Sequence, residues 1–406
     1  MENRKAARQV HVHISSQDRP GILAETLDCV VQLGWNVLDI KQFVFNGLLN
    51  LSLLLDKETE GEVAPLKAAL EGDRGGARIH VKIYPWEPGF RPEAPYQHRS
   101  VVTLLGNNIS SPVLLDLTQI FAAQDINVLR IEQLDYSDQH VIEFVIGTRQ
   151  AHSSVDVLNA LVRFKEHFQV DIAVQEDTLF RRNKRLIVFD ADMTFLQCEV
   201  IDEMGKLAGV GKEMAAITHQ AMSGELEFSA ALKKRVGLLS GLSVSRLEEL
   251  FDRIPITPGA EDLVRILKHL GYKIAIVSGG FQFFIEKLVA KYGIDYGFAN
   301  QLEIDNGTLT GKLQGGIIDA SAKKKILVSL AEEEGFSLRQ VVAVGDGAND
   351  IDMLASAGLG IAFNAKPIVQ QHARASINQS SLDLILYFLG INGKDLQELR
   401  EIVGRP

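Results

Sequence analysis

Residues 186–194 read Leu-Ile-Val-Phe-Asp-Ala-Asp-Met-Thr, four apolar residues followed by two aspartates that a single alanine separates. A short, wholly apolar run predicts a strand buried on both faces, as in a parallel sheet that helices cover. Ligands of such sheets bind just beyond the carboxyl ends of the strands. Asp190 and Asp192 stand directly after this strand, so the stretch predicts both a fold class and a binding edge.

Polar residues also follow two further apolar strands. Ser278-Gly279-Gly280 comes directly after residues 274–277, and Gly-Asp-Gly-Ala-Asn-Asp at 345–350 comes directly after residues 341–344. Another apolar strand is expected at 359–363, and helical stretches alternate with these strands. The alternation predicts an α/β core with a parallel sheet, and it brings the three polar clusters to one edge.

Three other segments interrupt this core. Residues 200–253 have helical periodicity without strand character and predict a helical cap inserted after the first strand. Residues 298–318 contain Asp305-Asn306-Gly307 and predict a hairpin attached to the sheet. The three lysines at 323–325 precede a strand, and a solvated helix face would account for at least two of them.

The first part of the chain contains a repeat. Asn-Val-Leu-x-Ile occurs at 36–40 and again at 127–131, each time after a strand and a helix that opens at proline. A hairpin strand, a second helix and a last strand follow each copy, which is the order of a ferredoxin-like α+β unit. The proline-rich stretch 85–95 predicts a linker between the copies. We therefore expect domains at residues 1–86 and 97–178.

The composition excludes several classes of function. With 46% hydrophobic and 23% charged residues, the 406-residue chain can bury a sizeable core. A formal net charge of −10 argues against nucleic-acid binding, and no apolar run reaches the roughly 18–20 residues that cross a bilayer. The first ten residues do not read as a signal peptide, and Cys29 and Cys198 form no disulfide framework. A reducing, cytoplasmic location is the simplest expectation.

The motifs after the apolar strands resemble the haloacid dehalogenase superfamily of phosphohydrolases and, more narrowly, its phosphoserine phosphatases. Gly-Asp-Gly-x-Asn-Asp would occur by chance in roughly one such chain in several thousand. The resemblance covers about residues 186–389 and continues through the cap at 199–202, 222–228 and 234–236. It implies a haloacid dehalogenase-like phosphatase domain at residues 184–393. The helical cap is expected at about 200–256, and a C-terminal tail at 394–406.

The resemblance also implies roles in phosphoryl transfer. Asp190 would attack phosphorus and form an aspartyl-phosphate, and Asp192 would protonate the leaving oxygen and later activate water. Mg2+ would bind to Asp190, the backbone carbonyl of Asp192 and Asp346. Asn349 and Asp350 would support the metal and the substrate. Asp190 and Asp192 in isolation could equally be a strand-ending turn and a helix cap.

Other groups would complete the phosphate site. Ser278 and the Gly279 amide would donate to phosphate oxygens. Lys323 would balance the charge on Asp190 and on the phosphoryl group, and it is preferred to Lys324 and Lys325 for its spacing within the family pattern. A plain loop is the alternative for the serine–glycine cluster.

Substrate choice is expected to come from the cap. By resemblance Glu199 would hold a substrate ammonium and Arg235 its carboxylate. Met222 and Phe228 would form an apolar lid. The alternatives are ordinary surface charges for the first pair and simple core residues for the second.

The first repeat resembles ACT domains, regulatory modules that bind amino acids, at Ser-Gln-Asp-Arg-Pro-Gly (16–21). The resemblance implies amino-acid contacts from Asp18, Gly21 and Asn36, although the same motif also makes a turn into a helix. The second repeat has Gly-Asn-Asn-Ile-Ser-Ser-Pro at 106–112 instead. A repeat that pairs across sheet edges also favours a homodimer.

The whole pattern predicts hydrolysis of L-phosphoserine to L-serine and phosphate, the last step of serine biosynthesis, with serine as a candidate effector. Two alternatives stay open. The chain could act on another small phosphomonoester or transfer the phosphoryl group to another alcohol. It could also be an amino-acid sensor whose phosphatase half is inactive, although the intact carboxylates and lysine argue against this.

Overall fold

The computed structural model describes residues 6–74, 76–85, 96, 98–135, 139–149, 154–222 and 226–404. The chain divides into two compact units, Met1–Pro95 and Tyr96–Pro406. The expected linker lies outside the described residues except for Pro85. Within the described ranges, no helix has both the length and the apolar character needed to cross a membrane.

The first unit is a five-stranded antiparallel sheet with two helices. Its elements are β1 Ala6–Gln17, α1 Ile22–Gln32, β2 Asn36–Phe45, β3 Leu48–Glu62, α2 Val63–Leu70, β4 Gly72–Arg74 and β5 Ala77–Pro85. The strand order is β2-β3-β1-β5-β4. Alternate residues of β1 (Val10, Val12 and Ile14) are buried with Ile22 and Leu66 from the helices, because successive strand side chains point to opposite faces. The ferredoxin-like prediction is confirmed, and only the short β4 was not expected.

The second unit begins with the second repeat. Its elements are β6 His98–Gly106, α3 Ser111–Ala123, β7 Asn127–Asp135, β8 His140–Thr148, α4 Ser154–Phe168 and β9 Asp171–Glu176. The strands stand in the order β9-β6-β8-β7. Leu117 and Phe121 of α3 pack with Leu161 of α4 and Phe144 of β8 in a separate core, so this repeat has the same architecture as the first.

The rest of the second unit contains the predicted parallel sheet. Its strands are β10 Leu186–Phe189, β11 Lys273–Phe281, β12 Tyr296–Asp305, β13 Thr308–Gln314, β14 Val341–Gly345, β15 Leu359–Phe363 and β16 Ala375–Ile377. Strand β10 pairs in parallel with β11 and β14, and β15 joins β14 to β16. The α/β prediction is confirmed, and β10 lies near the middle of the sheet, where both faces are covered.

The two sheets of this unit are continuous. Strand β9 of the second repeat pairs antiparallel with β16 of the parallel sheet, at Ala173–Ala375 and Ile172–Ser376. The result is a single eleven-stranded sheet from β13 to β7. The sequence pattern did not predict this junction, because it depends on pairing between strands that are about 200 residues apart.

Four helices form the predicted cap between β10 and the rest of the core: α5 Val200–Ala208, α6 Gly211–Met222, α7 Phe228–Gly237 and α8 Val244–Phe251. The remaining helices are α9 Ala260–His269, α10 Gln282–Tyr292, α11 Ala320–Glu333, α12 Ile351–Ser356, α13 Pro367–Gln370, α14 Ile385–Phe388 and α15 Gly393–Val403. The predicted hairpin is formed by β12 and β13, and Asn306 and Gly307 make its turn with φ of 48° and 76°. Both residues have the positive φ that a tight hairpin turn requires.

Candidate active site

Asp190 stands at the carboxyl end of β10 and begins a single irregular turn, Ala191–Phe195. Phe189 before it and Phe195 after it are fully buried and contact each other edge to face, which fixes the turn in the core. The Asp190 Oδ1 accepts a hydrogen bond from the backbone N–H of Ala191 at 2.8 Å. Met193, three residues after Asp190 in this turn, has a φ of 57°, which is uncommon for a side chain of this size.

Lys323 of α11 lies in contact with Asp190. Its side chain is fully buried, and Nζ is 2.7 Å from Asp190 Oδ1 and 2.7 Å from Asp350 Oδ1. Burial works to lower the pKa of Lys323, but the charges of the two aspartates outweigh it and the pKa is raised. The ammonium group therefore stays charged beside the carboxylates. Lys324 and Lys325 are exposed.

The glycine-rich loop after β14 brings Asp346 and Asp350 to the same place. Asp350 Oδ2 accepts a hydrogen bond from the Gly347 N–H at 3.0 Å. A Cβ at Gly345 would lie 2.5 Å from the Asp350 carboxyl group, and one at Gly347 would collide with Asn349 Oδ1. At Gly345 a side chain would therefore displace Asp350, whereas at Gly347 it would require the Asn349 side chain to move.

Three of these carboxylates could hold a divalent cation. Asp190, Asp346 and Asp350 each offer an oxygen, and the three oxygens lie within 4.8 Å of one another. Burial, and then the charge of Asp350, raise the pKa of Asp190 well above its usual value and that of Asp346 to about 7. A hard cation such as Mg2+ would offset this repulsion, so the donor set fits it. Asp350, expected only as support, is part of the cluster.

Asp192 faces the second polar cluster. A Cβ on Gly280 would be 3.3 Å from Asp192 Oδ2 and 3.0 Å from Ser278 Oγ, so both oxygens converge on this glycine. The Ser278 Oγ accepts a hydrogen bond from the Gly280 N–H at 2.9 Å. Burial, and then the charge of Glu199, raise the pKa of Asp192 to about 8. The Asp192 carboxyl can therefore carry a proton at neutral pH, as a general acid must.

The cap contributes charges of both signs near these aspartates. Burial, and then the charge of Asp202, raise the pKa of Glu199, while Arg235 acts in the opposite direction. Burial lowers the pKa of Arg235 on α7, and Asp202 and Glu199 oppose this. Asp202 Oδ1 and Arg235 Nε are buried and have no hydrogen-bond partner among the described residues. Asp202 was not among the predicted site residues, although it lies one helical turn after Glu199.

The cap also reaches the core directly. Phe228, the first residue of α7, places its Cζ 3.6 Å from the position that a Cβ on Gly279 would occupy. The preceding Glu227 caps the helix by accepting a hydrogen bond from the Ala230 N–H at 3.2 Å. Met222 ends α6, but its side chain lies outside the described residues. The ring of Phe228 therefore lies over Gly279 in the Ser278–Gly280 loop.

Asn300 is a supporting residue that the sequence analysis missed. Its buried side chain donates from Nδ2 to the Gly279 carbonyl at 2.7 Å and accepts from the Ile318 N–H at 2.8 Å. Thr194 supports Asp346, because its Oγ1 donates a hydrogen bond to Asp346 Oδ1 at 3.3 Å. A polar residue inside a predicted strand was the only available signal for Asn300.

The three ACT-type residues do not meet within the first unit. Asp18 follows the end of β1 and Gly21, with a φ of 97°, precedes α1. The ends of β1 and β2 both pair with Leu48, so Asp18 is level with Phe45 at the end of β2. Asn36 opens β2 and is therefore roughly 30 Å away along the strand. All three residues are exposed.

Comparisons with known proteins agree with this architecture. Residues 187–355 match the family model of haloacid dehalogenase-like hydrolases, and residues 9–84 match that of the ACT domain. The chain is 37% identical to a phosphoserine phosphatase of Streptomyces coelicolor, covering 97% of both sequences. It is 44% identical to a phosphoserine phosphatase of Archaeoglobus fulgidus, covering 80% of this chain and 93% of that protein.

Among solved structures, a HAD family hydrolase from Salmonella enterica serovar Typhi is similar, with a TM-score of 0.64 and 29% identity. This similarity covers 72% of the present chain and 99% of the other.

Proposed function

We propose that this chain, which belongs to the phosphoserine phosphatase family of haloacid dehalogenase-like hydrolases, hydrolyses L-phosphoserine to L-serine and phosphate. The observation that carries the proposal is the contact of Lys323 with Asp190 and Asp350, beside Asp346. A sensor without activity would have no need of a buried lysine and three converging carboxylates.

In the first step an Asp190 carboxylate oxygen forms a bond to phosphorus while the bond between phosphorus and the serine oxygen breaks. Asp192 gives its proton to the departing serine oxygen. Lys323 keeps the Asp190 carboxylate oriented through Oδ1 and balances the charge that collects on the phosphoryl group. Ser278 Oγ and the Gly279 amide donate to its equatorial oxygens.

In the second step water attacks the phosphorus of the aspartyl-phosphate. Asp192 accepts the proton from water, the bond from phosphorus to Asp190 breaks, and free phosphate and the starting carboxylate result. Mg2+ held by Asp190 and Asp346, with the Asp192 carbonyl or Asp350, would neutralise negative charge on the phosphoryl oxygens. Phe228 would exclude water during the first step. Asn349, whose Oδ1 lies close to Gly347, would contact the substrate.

Phosphoserine suits the cap because it carries both an ammonium and a carboxylate. Glu199 would bind the ammonium, and Arg235 would bind the carboxylate with its planar fork. Arg235 Nε has no hydrogen-bond partner among the described residues, so it can donate to the substrate carboxylate. Met222 belongs to the proposed lid by its position at the end of α6.

The decisive experiment measures phosphate release from L-phosphoserine with and without Mg2+. Asp190→Asn keeps the shape of the side chain and removes the nucleophile, so turnover should fall by at least about a thousandfold. Asp305→Asn changes an exposed aspartate in the hairpin turn and should leave turnover unchanged. Full activity in Asp190→Asn would disprove the nucleophile. Faster release from another phosphomonoester, or transfer to an added alcohol, would change the substrate assignment.

Regulation by serine at the first unit, and a homodimer, are part of the proposal. Asp18 and Gly21 lie at one end of the sheet and Asn36 at the other. Antiparallel pairing of β2 with the β2 of a second copy would bring the partner's Asn36 end to the same end of the sheet as Asp18, with β2 and β3 between them. The exposed apolar side chains of β2 favour such pairing. A cytoplasmic location, and the domain limits expected from the sequence, also remain proposals.

A further inference from the structure

A cavity lies at the amino ends of the parallel strands, on the opposite side of the sheet's strands from Asp190. It has a volume of about 420 Å3 and is lined by residues that precede parallel strands: Lys184 before β10, Arg339 before β14 and Arg374 before β16. Asp190 follows the other end of β10, so the cavity and the active site are separated by the length of that strand, roughly 13 Å or more. The volume is within the usual range for small-molecule sites.

Basic side chains dominate the wall. Arg181, Lys184, Arg339 and Arg374 line the cavity together with one carboxylate, Glu176. Glu176 is 3.4 Å from Arg339, and both side chains are largely exposed. Such a concentration of positive charge is unexpected in a chain with a formal net charge of −10.

The cations are held in place by the fold and are incompletely neutralised. Lys184 is buried and donates from Nζ to the Arg339 carbonyl at 2.7 Å, which is not an anion. Buried Arg181 pairs with Glu143, while its Nε has no hydrogen-bond partner among the described residues. Arg374 is half-buried and has no carboxylate at ion-pair distance within the described part of the chain. Burial, and then the charges of Arg374 and Arg339, lower the pKa of Lys184 to about 8.

We propose that this cavity binds a small phosphate-bearing molecule. Arginine forks pair with phosphate oxygens through two parallel hydrogen bonds, and a dianion would relieve the repulsion among the four cations. The ligand would contact Arg181 and Lys184 on the segment after β9, and Arg374 beside the two-residue junction of β9 and β16. Binding therefore stabilises the junction of β9 and β16, which connects the second repeat to the catalytic core.

Calorimetric titration of the full-length protein with inorganic phosphate tests this inference. The wild-type chain should show two classes of site, one at Asp190 and one in the cavity. Arg374→Gln should weaken the second class about tenfold or more, because it removes a charge-assisted contact. Arg265→Gln, an exposed arginine on α9, is the matched control and should retain both.

Phosphate release from phosphoserine is measured in parallel and should stay unchanged in Arg374→Gln, since the cavity lies away from the reacting groups. If the wild-type chain does not release phosphate from phosphoserine, this result contradicts the proposed function and leaves the inference about the cavity unaffected. Identical phosphate isotherms for Arg374→Gln and the wild type would overturn the inference. A lower melting temperature of Arg374→Gln with unaltered phosphate binding would also overturn it, by assigning the arginine a structural role.

Discussion

Around Asp190 the negative charge of the aspartates exceeds what Lys323 balances. Burial, and then the charge of Asp350, raise the pKa of Asp346 to about 7 from a usual 3.8. The geometry of the glycine loop holds the carboxylates together in spite of their mutual repulsion. A site that is electrostatically unfavourable when empty is well suited to bind a cation.

The titration of Asp346 predicts how stability depends on pH. Without metal, and between about pH 4 and 7, the folded chain keeps a proton on Asp346 that the unfolded chain has already released. The folded state then binds more protons, so the free energy of unfolding falls as the pH rises through this interval. In EDTA the melting temperature of the wild type should fall more steeply from pH 5 to 8 than that of Asp346→Asn. Parallel curves for the two proteins would contradict this prediction.

The proposed contact of Arg235 with the substrate carboxylate predicts that its mutation affects only substrates that have a carboxylate. Arg235→Gln should lower kcat/KM for phosphoserine by about ten- to a hundredfold, because the substrate carboxylate loses a charged partner. Phosphoethanolamine has no carboxylate, so its kcat/KM should hardly change. Lys234→Gln alters the exposed neighbour on the same helix and serves as the control. An equal loss for both substrates would show that Arg235 acts on the fold or on the phosphoryl group.

Among the elements, β2 is exceptional because it is an edge strand with exposed apolar side chains. Phe43 and Phe45 are 62% and 63% exposed, and Leu38 is also exposed. Soluble proteins usually protect such edges with charges, bulges or a partner. This edge is where the proposed homodimer would form.

Val44→Lys should therefore weaken the proposed dimer. A lysine at this half-exposed position places like charges in both strands of an antiparallel pair. Sedimentation should show a shift from dimer to monomer, and calorimetry should show weaker serine binding. Leu115→Lys makes the same change at an exposed leucine of α3 and should affect neither. A monomeric wild type, or unchanged assembly of Val44→Lys, would contradict the prediction.

At the scale of the whole molecule, the second repeat is built into the catalytic body. Besides the β9–β16 pairing, Gln175 donates from Nε2 to the Phe388 carbonyl at 2.8 Å and Tyr387 bonds to Asp135. The first unit, by contrast, has a core of its own. The two repeats are alike in fold, and the second shares its sheet with the catalytic core.

Truncation should separate these two arrangements. Removal of residues 1–95 should leave the melting temperature of the second unit and its turnover nearly unchanged. Removal of residues 1–180 strips β9 from the edge of β16 and removes Leu105, Val141 and Ala173 from the core that they share with the catalytic part, so the melting temperature should fall by several degrees. The measurement is thermal unfolding by circular dichroism. Equal stability of both truncated chains would show that the junction contributes little.

Much of the fold follows from patterns that extend over only a few residues. Apolar runs of four or five residues identify the strands of the core, and Asn306-Gly307 identifies the hairpin turn. The positions of Asp190 and Asp346 after such strands follow from the same local information, because parallel strands end at one edge of a sheet.

Other features depend on residues that are distant in sequence, and only the tertiary structure reveals them. Packing decides that Asn300 supports the Ser278–Gly280 loop, and it shows how Lys323, which the family pattern already favoured over its two neighbours, contacts both Asp190 and Asp350. Strand register decides that Asn36 and Asp18 lie at opposite ends of their sheet, and that β9 continues into β16. Sequence patterns report which residues are apolar and how they alternate. They carry no information about which distant surfaces come into contact, because that depends on the complementary shapes and charges of the assembled elements.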